Sequence, residues 1–386
     1  MNERIAVVGA GIAGLAHAWA AARRGAKVVV VERSPASCGA SIRNFGMVWP
    51  IGQPAGNRYE TALRSRALWI EFLNDAGIWH NPCGSLHVAH REQEWAVLSE
   101  FNDRAPQLGY ECQLLDAEQV LERSPAANSE GLLGGLWSPT EVCVDPRQVI
   151  RLMPQWLNSK YQVQFCFDTT VDEIRLPQVS ATDGRTWEVD RVLVASGADF
   201  QTLYPETIRK AGLGHCKLQM LRTRPQPDNW QLGPMIASGL TLRHYPTFAV
   251  CDSLFRLKDR IEAESPELNR FGIHVMVSQH GSGELVLGDS HEYGRAIEPF
   301  DKVEIDELIL QELRRIVNFP DWTIAQRWHG VYPVLEDEIL FVEEPDPGVK
   351  LAIAVGGCGM TMSFGLADAL WEQWLGSVQI RQGTPA

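Results

Sequence analysis

The chain has 386 residues, enough for about two domains and a large core. Its 35 basic and 48 acidic residues give a net charge of −13, which offers no general footprint for a polyanion and argues against nucleic acid or an anionic membrane as a partner. With 45% hydrophobic and 22% charged residues, the composition excludes disordered, collagenous and coiled-coil chains and leaves enzymatic or ligand-binding roles.

Arg4 to Val8 is a short apolar run suited to a buried parallel strand, and Gly9-Ala10-Gly11-Ile12-Ala13-Gly14 then spells GxGxxG. Ala13 to Arg24 follows as an alanine-rich helix with Gly25 just past it, and Lys27 to Val31 forms a second strand ending at Glu32. Each glycine has a task in such a unit: Gly9 for the tight turn, Gly11 for close approach of a pyrophosphate, Gly14 for packing the helix on the strand. Glu32 is placed to accept hydrogen bonds from a ribose. The uncharged stretch from Ile5 to Ala22, with Ala18-Trp19-Ala20 imitating a cleavage site, is interrupted by glycines and His17 and reads as this unit rather than as a leader or membrane span. The fingerprint alone does not separate NAD from FAD, since both present an ADP half to the same loop.

Tyr59 to Ala76 reads as an amphipathic helix, and Asp145-Pro146-Arg147 starts another. Tyr161 to Phe167, Val171 to Ile174 and Arg191 to Ala195 read as short strands, the last running into Ser196-Gly197-Ala198. From about residue 216 to 296 the texture turns β-rich, with runs at Leu218 to Thr223, Phe271 to Ser278 and Leu285 to Leu287, predicting a mostly antiparallel second sheet. Asp301 to Val317 is a helix by its Ile305, Ile309, Leu313, Ile316 stripe. A turn at Pro345 to Gly348 precedes a strand, Lys350 to Val355, a second glycine turn at Gly356-Gly357-Cys358-Gly359, and a helix from about Met362 to Leu375. The expected fold class is α/β: a Rossmann-like cofactor domain from 1–80, 145–215 and 325–386, with an inserted β-rich substrate domain from 81–144 and 216–324. The eight cysteines are scattered without metal or disulfide spacing, so reduced thiols, no metal site and a cytoplasmic location are expected.

Four strings go together: the loop Gly9 to Gly14 with Glu32-Arg33, then Gly39-Ala40-Ser41-Ile42-Arg43-Asn44-Phe45-Gly46, Val192 to Ala198, and Gly356 to Thr361. On these, over essentially its whole length, the chain resembles the D-amino-acid oxidase, glycine oxidase and sarcosine oxidase superfamily of FAD-dependent amine oxidoreductases. The resemblance implies FAD held by Gly9, Ala10, Gly11, Ile12, Ala13, Gly14, Glu32, Arg33, Ala40, Ser41, Arg43, Asn44, Phe45, Gly46, Val171, Ser196, Gly197, Gly330, Gly357, Cys358, Gly359, Met360 and Thr361. A reduced flavin carries negative charge that a helix N-terminus stabilises, and Met360 to Ser363 is placed to supply one.

The chain also departs from that superfamily. Gly330 stands where covalently flavinylated members carry cysteine, which implies non-covalent FAD. Gly330-Val331-Tyr332-Pro333 lacks the arginine that clamps a substrate carboxylate in glycine-oxidase-like members, and one tyrosine hydroxyl does not replace a bidentate guanidinium. His274, in Gly272-Ile273-His274, stands where an oxygen-activating lysine is found, and an imidazole is only partly charged at neutral pH. The strings Arg43 to Pro50, Leu242 to Tyr245, Gly272 to Val275 and Gly288 to Gly294 look like a clade associated with phosphonate catabolism. That implies oxidation of an aminophosphonate related to 2-aminoethylphosphonate: hydride passes from the amine-bearing carbon to flavin N5, and the imine hydrolyses to an aldehyde. The anionic group is assigned to Arg43, Arg243, His244, Tyr245 and Tyr332. His274, His329 and Tyr332 are the catalytic candidates, and His244 with His274 and His329 the candidates to assist amine deprotonation. Electrons pass to O2 or another acceptor. The alternatives are a secondary-amine or N-methyl amino-acid oxidase and, in another class, a non-catalytic or redox-sensing flavoprotein.

Overall fold

The computed structural model describes residues 3–375, so the outer ends of the expected cofactor domain, 1–2 and 376–386, lie outside the described residues. Its first sheet has six strands in the order Leu340–Asp346, Val349–Ala354, Arg191–Val194, Arg4–Val8, Lys27–Val31, Gln164–Cys166. All neighbours are parallel except the Leu340–Asp346/Val349–Ala354 hairpin. Continuous apolar strands such as Val28 to Val31 suit a sheet covered on both faces. Helix Ile12–Arg23 covers one face together with Asn57–Ala76 and Gly359–Leu375, and Trp19 packs edge-on against Phe364 and Trp156 at 5.3 Å. On the other face lie the small sheet Val171–Arg175, Gln178–Ala181, Thr186–Glu188 and helix Pro205–Ala211.

The second sheet has nine strands. Eight follow the order Glu292–Gly294, Gly214–Pro225, Glu284–Gly288, Met276–Gln279, Met235–Ser238, Ser85–Ala89, Gly134–Ser138, Gln113–Asp116, and Ile324–Val334 pairs with the other edge of Gly214–Pro225. Among the described residues one pair in it is parallel, Met235–Ser238 with Ser85–Ala89, so the mostly antiparallel expectation holds. The pairing of Ile324–Val334 with Gly214–Pro225 runs from Val334 to Ile324, so a boundary at 325 falls inside a strand of this sheet.

Three local readings are corrected. Tyr161 ends a helix, Pro146–Tyr161, and Gln162 at φ 57° breaks it before the strand Gln164–Cys166. The strand expected from Phe271 begins only at Met276, because Phe271 caps helix Pro266–Arg270 and Gly272 turns at φ 55°. The region read as purely β-rich also carries helix Leu254–Glu264, whose Leu254, Leu257 and Ile261 pack inward at helical spacing. No described helix is long and apolar enough to cross a membrane.

Candidate active site

A cavity of about 450 Å³ runs from the carboxyl ends of Arg4–Val8 and Lys27–Val31 to Leu218, Gly330 and Tyr332 on the second sheet. Its floor is a backbone cradle. A Cβ on Gly9, at φ 103°, would lie 2.4 Å from the Ala195 carbonyl oxygen, and one on Gly14 only 1.9 Å from that of Gly9. Gly11 differs: it lines the cavity, and a Cβ there would meet Ser41 Oγ at 3.1 Å and nothing else within 4 Å. Helix Ile12–Arg23 opens behind Gly11 with no side-chain cap and no acid in its first turn, which leaves a positive end for an anion. Glu32 Oε2 accepts from the Ala10 N–H at 2.8 Å and Oε1 from the Ser34 N–H at 3.0 Å, so the acid expected to meet a ribose also holds two loops in shape. It lines the cavity, and each oxygen keeps acceptor capacity.

The next wall is the loop Gly39 to Gly46. Asn44 ties it together: its Nδ2 donates to the Ala40 and Ser41 carbonyls at 3.0 Å, and its Oδ1 accepts from the Gly46 N–H at 2.8 Å. The far end is the second glycine turn, Gly356-Gly357 at φ 73° and 72°, leading into Gly359–Leu375. That helix starts three residues before the expected Met362, placing its acid-free first turn on the cavity through Gly359 and Met360. Two acid-free helix starts at the ends of one cleft, the first with its Ile12 N–H already on Ser41 Oγ at 2.9 Å, together with the Gly11 gap between loop and cavity, fit FAD.

Of the other residues expected to hold it, Ile12, Ala13, Arg33, Ala40, Ser41, Arg43, Val171, Ser196, Gly197 and Gly330 line the cavity. Ala10, Gly14, Phe45, Gly46, Cys358 and Thr361 stand behind its wall. Thr361 Oγ1 accepts from the Trp49 N–H at 3.0 Å and the Phe45 carbonyl accepts from Ser278 Oγ at 2.7 Å, so these brace the wall from outside. The sequence reading passed over Ser34, Ser37, Thr169, Thr170, Asp199 and Thr202, which also line it. They sit in turns and loops where no spacing marks them.

Above the second glycine turn lies a roof of aromatic tips. The Tyr332 phenol packs on Gly357, 3.1 Å from where a Cβ would stand. Tyr293 and Asp289 lie near it, and beyond them His244, His274 and His291 cluster with ring centroids 4.0 to 5.0 Å apart, Tyr245 at their edge. His244 keeps accessible surface, while His274 and His291 are buried. Asp289 Oδ1 lies 3.3 Å from His274 Nε2. Burial pushes the Asp289 carboxyl well above its ordinary range and the His274 and His244 imidazoles well below theirs, their mutual repulsion adding to the effect; His291 falls to about 4. His274 is therefore uncharged at neutral pH, not partly charged as its type suggested. Burial likewise raises the phenols of Tyr245, Tyr293 and Tyr332, keeping them as O–H donors.

The structure brings His244, Tyr245, His274 and Tyr332 together and leaves two of the expected residues elsewhere. Strand alternation turns His329 to the opposite face from Trp328 and Tyr332, and its Nδ1 meets Asp301 Oδ1 at 2.8 Å. Arg243 donates to the Asn269 side chain and, at 3.2 Å, to the Ile273 carbonyl, and burial followed by Arg91 lowers it to about 10. Arg43 does line the cavity, donating to the His329 carbonyl at 3.3 Å. Asp289, His291 and Tyr293 had no assigned role, although their spacing of two puts them on one face of an extended segment, a signal present in Gly288 to Gly294.

The family model described as "DAO: FAD dependent oxidoreductase" matches residues 4–373. No curated protein matches. Among solved structures, a glycine oxidase from Bacillus cereus superposes with TM-score 0.77 at 17% identity, covering 98% of this chain and 96% of that one. L-alpha-glycerophosphate oxidase from Mycoplasma pneumoniae, with FAD bound, gives 0.74 at 18%, covering 99% and 97%. Iminodiacetate oxidase from Chelativorans sp. gives 0.71 at 19%, covering 99% of both chains. These identities establish a shared fold.

Proposed function

Since the chain belongs to the DAO family of FAD-dependent oxidoreductases, we propose that it oxidises the amine-bearing carbon of a small aminophosphonate related to 2-aminoethylphosphonate, including hydroxylated or N-methylated forms, and yields an aldehyde. The observation that carries this reading is the roof. By the resemblance Tyr332 stands where a carboxylate-clamping arginine is expected; it packs on the second glycine turn with Tyr293 and Asp289 near it, and the imidazole cluster lies beyond Asp289. A phosphonate is larger than a carboxylate, has three oxygens and needs several separate donors. The Tyr245, Tyr293 and Tyr332 hydroxyls and the Arg43 guanidinium are candidates to supply them.

When bound, FAD supplies a two-electron acceptor. The chain's own contribution is positional and electrostatic. Gly9 to Gly14 and the start of Ile12–Arg23 would hold the pyrophosphate, Asn44 fixes the loop along the cavity, and the start of Gly359–Leu375 would offer N–H groups to negative charge on the flavin. Burial beneath Tyr332 excludes water and favours the neutral amine over the ammonium, so no dedicated base is needed and His329 is not required to act as one. The names of two structural neighbours, glycine oxidase and iminodiacetate oxidase, support an amine substrate, and the name of a third, glycerophosphate oxidase, shows the fold associated with a phosphorylated one.

Anaerobic titration of the purified holoprotein tests the reading. Flavin absorbance should bleach with 2-aminoethylphosphonate or its hydroxylated or N-methylated forms and at much higher concentration, if at all, with glycine. Bleaching by sarcosine or glycine alone would favour the secondary-amine or amino-acid oxidase, and no bleaching by any amine would favour a non-catalytic flavoprotein. Readmitting air to the bleached protein then asks whether O2 restores the colour.

A further inference from the structure

We infer that His244, His274 and His291 form a three-histidine site for a divalent transition metal, zinc before others, in the cluster that stands beyond the cavity's lining. One ligand atom from each imidazole lies within 4.8 Å of the other two, the one such group among the described residues. Zinc–nitrogen bonds of roughly 2.0 to 2.1 Å in a tetrahedron set the nitrogens roughly 3.3 Å apart, a closing within reach of side-chain rotation.

The surroundings of the rings argue for a metal rather than a packing cluster. His274 is 3% exposed, yet its Nδ1 lacks a hydrogen-bond partner. Buried polar atoms left without partners are costly and call for an occupant. The second partners of two rings have the arrangement that fixes metal-bound histidines. Asp289 faces Nε2 of His274 at 3.3 Å, and the Gly272 carbonyl faces Nδ1 of His291 at 3.1 Å. Each can accept the proton of that nitrogen, which leaves Nδ1 of His274 and Nε2 of His291 as lone pairs. His244 is exposed, so a cation would enter there and keep an open position.

The backbone holds the set in place. The His274 and Asp289 amides and carbonyls bond each other at 2.9 and 3.4 Å, and the His291 N–H donates to the Phe271 carbonyl at 2.7 Å, locking two ligand segments side by side. His244 follows the 3₁₀ turn Gly239–Arg243, with its N–H on the Thr241 carbonyl at 3.0 Å. A cation uses the imidazoles and Asp289 together. The inference stands whichever amine is oxidised; a phosphonate oxygen as the fourth ligand is a further link that rests on the aminophosphonate reading.

The test uses FAD-loaded protein purified with a tag free of histidine, treated with chelator, desalted and titrated with Zn2+ by calorimetry, with bound zinc counted by elemental analysis. The expected result is one saturable Zn2+ per chain. His244→Ala and His291→Ala should each weaken it at least a hundredfold, and Asp289→Asn ten- to a hundredfold, with FAD content and melting temperature close to those of the parent. If His291→Ala fails to hold FAD, His244→Asn, at the accessible ring, supplies the same comparison. Absence of saturable binding, or binding unchanged in the His244 variants, would overturn the inference. Bleaching of the zinc-free protein by aminophosphonate at parental affinity would break the link to the phosphonate oxygen and leave the proposed function standing.

Discussion

Around Gly9 to Gly14 the cavity is faced by backbone N–H groups and by side chains that are missing, whereas around Tyr332 it is faced by the tips of large side chains. The cradle takes its shape from one continuous stretch of chain and tolerates almost nothing: added methyl groups on Gly9 and Gly14 would stand 2.4 and 1.9 Å from carbonyl oxygens. The roof is drawn from separate segments, the turn after Gly239–Arg243, the stretch before Met276–Gln279, the stretch after Glu284–Gly288 and the strand Ile324–Val334. The cradle has a geometry that few substitutions leave intact, while the roof is made of side chains that can change without moving the backbone.

The largest effects should therefore come from the cradle. Gly14→Val should abolish soluble folded protein, since the clash is with backbone that cannot step aside. Gly11→Val separates fold from cofactor: the site has room apart from Ser41 Oγ, so the chain should fold while flavin content drops to background. The flavin-to-protein absorbance ratio and a thermal melt check both. Acid precipitation of the parent should leave all FAD in the supernatant, because Gly330 offers no thiol at the cavity wall. Flavin in the pellet would mean another attachment point.

How much of each region was legible follows from the same contrast. The cradle's information is local: glycines at fixed spacing, flanking strands and a terminal acid are all visible in Arg4 to Glu32. Even there Glu32 did more than its spacing announced, since its bonds to Ala10 and Ser34 depend on how the loops fold back. The roof's information is tertiary. His329 looked suitable because it adjoins Gly330, but its neighbour's orientation is the opposite of its own on a strand. His291 was passed over although the period of two from Asp289 to Tyr293 was readable, because no motif says which face of an irregular segment points inward.

An intermediate effect should come from Arg243, which touches the roof through its neighbours. It ties the turn bearing His244 and Tyr245 to Asn269 and Ile273. Arg243→Ala should weaken aminophosphonate use about tenfold, or ~1.4 kcal/mol, with FAD content unchanged. Asn269→Ala sharpens the comparison. A tenfold loss there too, equal for amines lacking any anionic group, would show that Arg243 acts by placing the turn. A loss confined to Arg243→Ala and to phosphonates would show that its charge reaches the substrate.

At neutral pH the smallest expected effect compares the two regions through one buried histidine in each, and it grows only as the pH falls. His17, 2% exposed on helix Ile12–Arg23, faces Trp371 at 6.5 Å, and His87, fully buried on Ser85–Ala89, sits between Trp49 and Phe248 at 5.5 and 5.3 Å. Burial lowers both imidazoles from 6.5 to about 3. The folded chain thus keeps both neutral where the unfolded chain is protonated, so their stabilisation is complete above pH 6.5 and is lost progressively as the pH falls toward about 3. Each contributes a slope of roughly 1.4 kcal/mol per pH unit within that window. His17→Leu and His87→Leu should each flatten the acid limb by that amount in denaturant melts taken at successive pH values. If cradle and roof unfold as one unit, the two variants shift the same single transition. Two transitions, each flattened by only one of the variants, would show that the roof opens while the cradle still holds FAD.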